Sequence, residues 1–598
     1  DMNNEGTLLA RNLVNLYGQD IQNKGLIFAN NVNLNAEQKL VNLGGKITAA
    51  EQISLYGGKS VELAATKTEN QSQLGRTQTA NSGVDRKSEL TVTGKEGMLS
   101  VQSGGDITVK AANLKSEGAI DVNAKGKLSV TTEKQTNKEH YNFSDNHHYH
   151  LNQESEVSSV IEGKQGVRLV GQEETVLRQA EVISHDDKVM VASKGDIQIE
   201  EGRSLEQLDT RNKQKSKGLL TKETEESRHH HDYDLAEGSR LQGKNVEVLS
   251  QTANVSVKGA EIQAEQDIHL QGNQVRVTAS RDKVMEQDSY SSKKSGLNVS
   301  GKGGVMQIGY QRGKLNNDGS SYSESVNGSE LVAQNGNLSI YANQDVNVDA
   351  SHLASGGDML LTGKNVHLNA VNEQHNSEYH RKQKSTGFGM GFVYDPATRA
   401  KENYRQKEAQ GATNSIVGKA LGASDAVVDS IESTMRGIQP YANHNRSESH
   451  KYNQQTIAKT TSLEAGGNMK IHAREGDIRT QGGRITAEGD AQFVAAKNVD
   501  FGVAVHEQSQ HASSRQRGVG VDGLAKYVAG VYTQRENGDT RLRQEVGSQI
   551  SIGGNSTTTA EEGDITLKGL DLTSTQGDKE IISVLKRFGA DITTDGNT

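Results

Sequence analysis

Hydrophobic residues along this chain fall in short triplets, two apolar positions flanking a polar one, set off by Gly, Asn or Asp. Val255-x-Val257, Ile262, Ile268-x-Leu270, Val275-x-Val277 and Ala279 return 91 residues later as Val346-x-Val348, Leu353, Met359-x-Leu361, Val366-x-Leu368 and Ala370. Gly44-Gly45-Lys46-Ile47-Thr48-Ala49 matches Gly482-Gly483-Arg484-Ile485-Thr486-Ala487, 438 residues on, and Val61-x-Leu63 matches Val499-x-Phe501. Residues 105–130 carry the same pattern in Ile107-x-Val109, Leu114, Ile120-x-Val122 and Leu128-x-Val130. Alternation is the two-residue period of a strand with one buried face. The flanking Gly and Asn tolerate the positive φ of tight corners.

Val255 to Val275, and Val346 to Val366, is 20 residues, so three short strands and their corners make one coil. Small residues after many triplets, such as Ala111-Ala112, Ala279 and Ala370, suit a narrow interior. Such a coil cannot bury its apolar side alone; stacking on neighbours completes the core. The pattern predicts an all-β chain, a right-handed parallel β-helix with coils of about 20 residues. About 15 coils at about 4.8 Å each give a rod on the order of 70 Å.

The coils are interrupted six times, at 66–87, 132–157, 201–237, 280–327, 371–458 and 504–544. The last triplets before the breaks are Val61-x-Leu63, Leu128-x-Val130, Ile197-x-Ile199, Val275-x-Val277, Val366-x-Leu368 and Val499-x-Phe501. Equivalent positions share a corner, so all six inserts are expected on one edge, as repeat proteins commonly place them. Residues 1–65 are read as uninterrupted coils and 66–572 as coils with inserts; 573–598 depart from the repeat and read as the start of a further region.

Several inserts begin Ser/Gln-rich and charged, as in Thr68-Glu69-Asn70-Gln71-Ser72-Gln73. Others alternate glycine with apolar residues: Gly296-Leu297-Asn298-Val299, Gly387-Phe388-Gly389-Met390-Gly391-Phe392 and Gly518-Val519-Gly520-Val521. Alternation between turn residues predicts β-hairpins. The simpler expectation packs them on the solenoid edge; the sharper one has them meet a membrane or partner. In the longest insert Ile416, Val417, Ala420, Leu421, Val427, Val428, Ile431 and Met435 form a helical stripe.

Composition narrows the class. Apolar residues are 32% and aromatics 4%, with no tryptophan, against about 45–50% apolar in globular domains. A thin core one side chain deep fits; several compact cores do not. Low hydrophobicity also suits disorder, but there are only two prolines and the repeats align without gaps. With 67 basic and 76 acidic residues interspersed, net −9, there is no polybasic footprint for nucleic acid. The absence of cysteine excludes disulfides, thiolate metal sites and a cysteine nucleophile. No apolar run approaches the roughly 18 residues of a membrane helix. The chain opens without a signal peptide and reads as a fragment of something longer.

Candidate chemistry is sparse. Histidines cluster at His140, at His147, His148 and His150, and at His229, His230 and His231 beside Asp232 and Asp234. These side chains are metal ligands, but read as parts of charged loops they imply incidental surface affinity instead of a site. No nucleophile elbow, Walker A, zincin or EF-hand pattern occurs. Asp106, Asp267 and Asp358 each precede a triplet and read as turn formers, recurring in every module instead of gathering at one place. No catalytic, cofactor-binding or metal-binding residue is assigned, and the chain is read as non-enzymatic; a carbohydrate-active β-helix with paired carboxylates is the weaker enzyme alternative.

The motifs resemble a family. Asp20-Ile21-Gln22-Asn23-Lys24-Gly25 followed by Asn42-Leu43-Gly44-Gly45-Lys46-Ile47-Thr48-Ala49 looks like the haemagglutinin repeat of filamentous haemagglutinins. Gly104-Gly105-Asp106, Gly356-Gly357-Asp358 and Gly466-Gly467-Asn468, each opening a triplet, resemble the second repeat region of contact-dependent growth inhibition exoproteins. The resemblance implies two-partner secretion through an outer-membrane transporter and display on a Gram-negative cell surface. It further implies a monomeric filament that engages a target outer membrane or receptor and helps a C-terminal toxin cross. In adhesin members such repeats form the shaft of a host-binding filament, which is the alternative function.

Overall fold

The computed structural model describes residues 1–302, 305–393, 439–522, 530–583 and 593–595. Two sheets account for it: a 42-stranded parallel sheet and a 12-stranded antiparallel one. The parallel sheet is a β-helix whose coils each contribute one strand to three stacks. Its register is the one the repeats anticipate. Val255 pairs with Val275, Val275 with Val346 and Val346 with Val366, so the 91-residue repeat is two coils plus one insert.

Apolar pairs from each strand point inward and are almost fully buried from Ile21 to Ile565, forming one continuous core. Phe493 and Phe501, on different stacks, meet edge to face at 5.4 Å, the favoured aromatic geometry. A chain with few apolar residues can sustain this core because each coil needs only about six, shared with the coils above and below.

The corners are held by polar ladders. Asn245, Asp267, Asn337, Asp358, Asn468, Asp490, Asn555 and Asp578 occupy one corner in successive coils. Each side-chain oxygen accepts the backbone N–H of the next member, at 2.7–3.0 Å. Asp106 does the same at another corner, accepting from the Lys127 N–H at 2.8 Å. The glycine before the Asx residue makes room for this ladder: a Cβ on Gly467 would lie 2.4 Å from Asp358 Oδ1, and one on Gly357 would lie 2.5 Å from Asn337 Oδ1. The recurrent Gly-Gly-Asp/Asn motif is therefore a stacking device.

The parallel ladder continues beyond residue 572. Lys579–Ser583 pairs with Ser556–Ala560, so the loss of sequence pattern at 573 is not the end of the solenoid. The helical stripe expected at 416–435 lies outside the described residues; no helix occurs among those described.

Candidate functional site

Six hairpins leave the solenoid, at Thr66–Leu74 with Thr77–Arg86, Glu133–Ser144 with His147–Val157, Gly202–Lys217 with Thr221–Glu237, Ser280–Lys302 with Val305–Asn327, Val371–Val393 with Gln439–Lys459, and Ala504–Asp522 with Gly530–Val546. They are numbered 1 to 6 below. The strands preceding them lie in one stack and on every second coil: Ser60–Ala64 pairs with Asp106–Lys110, which has no insert, and that pairs with Lys127–Thr131, which precedes hairpin 2. The alternation has a metric consequence. Two coils rise about 9.6 Å, and a hairpin of two strands is about 9.6 Å wide. Hairpins on alternate coils therefore tile without gap or overlap, and all six join edge to edge into the 12-stranded antiparallel sheet. They do not pack on the solenoid edge, because their backbone donors and acceptors are better met by one another.

The corners distinguish the two kinds of coil. Coils without a hairpin turn on a single left-handed residue: Ala111, Gln179, Gly259, Ala350, Gly482 or Gly569, with φ between 45° and 66°. Coils with a hairpin return through a buried hydroxyl: Ser88, Ser159, Ser239, Ser329, Thr461 or Ser548. Ser239 Oγ donates toward the carbonyls of Glu200 (2.8 Å) and Leu177 (3.2 Å) and accepts the Ala180 N–H (3.1 Å), clamping the re-entering chain to the preceding coil. Ser159 holds the same three bonds, and Thr461 donates toward the carbonyls of Val348 (3.0 Å) and Asn369 (3.1 Å). Buried ion pairs add to the hairpin bases. Glu133 lies 2.6 Å from Lys67 and 2.8 Å from Lys110, while Glu156 is held by Arg178 through two bonds of 2.7 and 2.9 Å. Burial alone would raise both carboxyls; the ion pairs outweigh it and hold both below the usual value.

Strand length rises from 9 and 10 residues in hairpin 1 to 23 and 23 in hairpin 4, so the sheet stands tallest over hairpins 4 and 5. At about 3.4 Å per residue that height is about 75 Å. Its two faces differ there. One carries Gly309 and Gly389, covered by Tyr441, which is 5% exposed; a Cβ on Gly309 would lie 2.7 Å from the Tyr441 hydroxyl. The other face carries Leu297, Val299, Ile308, Tyr310, Phe388 and Met390, all exposed. Leu297, Tyr310 and Phe388 are direct register partners, as are Val299, Ile308 and Met390.

On that same face, four residues nearer the solenoid, lies a row of cations. Lys293, Lys314, Lys384, Arg446 and Arg517 sit directly opposite one another on five consecutive strands, with Lys215 two strands further along the row. All are exposed. Among the described residues Arg446 pairs with Glu448 (3.1 Å), and no ion pair is formed by the other five. Like charges directly opposite are destabilising in a sheet, so this row departs from simple stability. Two residues closer to the solenoid the charges are paired: Glu226 with Arg228 (2.7 Å), Lys213 (3.0 Å) and Arg211 (2.8 Å), and Glu448 with Lys382 (2.9 Å). Hydrogen bonds from Arg228 and Lys213, and from Lys382, lower these two carboxyls to about 2.

The histidine clusters lie on paired strands of this sheet, not in loops. His140, His147, His148 and His150 belong to hairpin 2 and His229, His230 and His231 to hairpin 3. His229 bonds Asp288 (2.6 Å) and His231 (3.2 Å), and His231 bonds Glu206 (2.9 Å). Burial and the neighbouring His148 and His140 rings push the His150 pKa down. Asp106, Asp267 and Asp358 are in the corner ladders, as turn formation requires. The sequence reading missed the cation row, because its successive members are 21 to 78 residues apart and converge only through register. Spacing along each strand, cation to apolar residue four positions on, was the available signal.

A parallel β-helix with hairpins tiled from alternate coils defines a repeat-built scaffold with one specialised side. The chain belongs to the hemagglutinin-repeat family, whose model matches residues 73–148, 220–326, 308–430 and 442–581. It is similar to the Toxin CdiA of Yersinia pestis, 27% identical over 317 residues, which is 49% of this chain and 9% of that protein. The tRNA nuclease CdiA of Escherichia coli (strain NC101) is 24% identical over 331 residues, 52% of this chain and 10% of its own length. The Deoxyribonuclease CdiA of Yersinia pseudotuberculosis serotype O:3 (strain YPIII) is 25% identical over 317 residues, 48% of this chain and 29% of its own. The chain thus spans less than a third of each of these curated relatives. No solved structure matches it.

Proposed function

We propose that this chain is a non-enzymatic segment of a secreted, cell-surface exoprotein of a Gram-negative bacterium, exported through an outer-membrane two-partner-secretion transporter. It supports delivery of a C-terminal toxin into a contacted bacterium, and its hairpin sheet is the part that meets the target's outer membrane. The observation that carries this is the cation row running beside exposed apolar rows on one face. The two bands are about 13 Å apart along the strands, so apolar side chains enter lipid while the lysines remain at the anionic headgroups. An adhesin shaft needs only the solenoid and leaves this face without a use. The relatives' toxin and nuclease names support the delivery reading, and the similarity to them lies in the repeats.

The test is growth competition by cells displaying the full exoprotein with Lys293→Glu, Lys314→Glu and Lys384→Glu. Each basic residue near an anionic surface is worth about 1 kcal/mol, so removing three weakens attachment about a hundredfold, and the three carboxylates put in their place weaken it further. Killing falls steeply while surface display is unchanged. Unaltered killing refutes the role assigned to this face.

A further inference from the structure

The seam between hairpins 2 and 3 holds a second arrangement, independent of the membrane reading. His148 and His150 are two residues apart on one strand and share a face; Asp209, on the adjoining strand of hairpin 3, is the direct register partner of His150. On the other side His150 is opposite His140. One ligand atom from each of His148, His150 and Asp209 lies within 4.8 Å of the others, and all three side chains are half-buried. His148 Nε2 is already 3.3 Å from Asp209 Oδ2, close to the separation of two ligands on a tetrahedral zinc ion, about 3.3 Å for bonds of 2.0–2.1 Å. The His148 and His150 rings stack at 4.6 Å, and the His140 ring lies 4.7 Å from His150. Asn142 Oδ1 accepts from His150 Nε2 at 2.9 Å, and Asn152 Oδ1 from His140 Nε2 at 3.0 Å. Such outer contacts hold ring orientation at metal sites.

We propose that His148, His150 and Asp209 bind one divalent transition-metal ion of the zinc class, with His140 beside the open position. Imidazole suits Zn²⁺, Ni²⁺ and Cu²⁺, whereas Ca²⁺ and Mg²⁺ call for oxygen donors. Two ligands come from hairpin 2 and one from hairpin 3, so the ion staples neighbouring hairpins across a seam that backbone bonds and the Asn152–Gln207 and Gln153–Glu206 side-chain bonds also close. Placement on paired strands separates this cluster from a flexible His-rich loop. The strands fix the ligands before the metal arrives.

The test is Zn²⁺ titration of the purified 598-residue chain by calorimetry, alongside the visible spectrum of its Co²⁺ form. One equivalent binds at submicromolar affinity, and Co²⁺ gives the intense d–d bands of four- or five-coordination. His148→Asn with His150→Asn abolishes that equivalent and Asp209→Asn weakens it at least tenfold, with far-UV dichroism unchanged. His380→Asn with His450→Asn, altering another histidine group on the same sheet, leaves it intact. Weak, multi-equivalent Zn²⁺ uptake with no d–d bands in the unmodified chain overturns the proposal, whether or not the variants fold. Equal loss in the His380/His450 variant overturns it as well.

Discussion

Replacing Ser239 by alanine tests the clamp that lets a hairpin interrupt the solenoid. Ser239 is 1% exposed and its hydroxyl serves the Ala180 N–H and the carbonyls of Leu177 and Glu200. The Glu200 carbonyl keeps a second donor, the Gln179 N–H at 3.0 Å, so the chief loss is the buried Ala180 N–H left without its acceptor. An unsatisfied buried group costs about 1–3 kcal/mol, and about 2 kcal/mol is expected here, since the small vacancy admits no water. Solenoid stability is local, so a global midpoint would dilute the effect. The assay is native-state hydrogen exchange, read at the strands Arg240–Gly243 and Glu181–Ser184, which pair across the clamp. Their opening free energy falls by about 2 kcal/mol, while Ile565–Lys568, many coils away, is unaffected. Ser239→Thr retains stability, because it keeps a hydroxyl oxygen for the Ala180 N–H and a buried threonine, Thr461, fits the equivalent corner of another coil. Exchange in Ser239→Ala within about 0.5 kcal/mol of the unmodified chain, or a threonine variant as weak as the alanine one, would show that the hydroxyl does not clamp the corner.

Other consequences follow from the ladders and ion pairs. Gly467→Ala sets a Cβ against Asp358 Oδ1 and costs about 1–3 kcal/mol of local stability; adding Asp358→Ala recovers part of that loss in a double-mutant cycle. Glu133 and Glu156 have folded pKa values below their unfolded ones. Their stabilisation is therefore fully present above about pH 4.5 and is lost as pH falls through the folded values. The bases of hairpins 1 to 3 open on acidification, detected as protease cleavage there before the solenoid melts; no matching loss occurs on the alkaline side. Glu156→Gln removes the Glu156 share of that acid dependence and costs about 1–2 kcal/mol at neutral pH, since Arg178 loses its two-bonded partner and keeps only the longer contact to Glu200 (3.7 Å). Tyr441→Ala uncovers Gly309 and Gly389 and speeds exchange in the upper part of hairpins 4 and 5, which hydrogen-exchange mapping resolves.

The solenoid was legible because its signal is local and repeated. Val255 to Val277 carries the strand period, the corner residues and the coil length, and the copy at Val346 to Leu368 supplies the vertical register. The hairpins were legible one at a time, from Gly/apolar alternation in residues 296–310 and 387–392. Their joining into a sheet was not. It depends on the match between coil rise and strand spacing, which appears in sequence only as one uninterrupted coil between successive inserts. The alternating small and hydroxyl-bearing residues (Ser159, Ala180, Ser239, Ala260, Ser329) marked that rhythm, but without a structure a buried serine clamp resembles any polar corner. The cation row and the His148/His150/Asp209 group depend on register between segments tens of residues apart. Composition reveals neither; a cation four positions from an apolar residue along one strand hints at the row, but only register between strands assembles it.

Hairpins from alternate coils pair with one another in fixed register, and the absence of cysteine makes this pairing directly measurable. Ser321 of hairpin 4 is the partner of Ser377 of hairpin 5, and Ser320 is the partner of Glu378. Residues directly opposite have Cβ atoms about 4.5–5.5 Å apart, within reach of a disulfide after a small adjustment. Ser321→Cys with Ser377→Cys is expected to crosslink rapidly under mild oxidant, and Ser320→Cys with Ser377→Cys, whose side chains point to opposite faces, is expected not to. Equal yields from both pairs, or none from the first in a folded chain, would contradict the pairing.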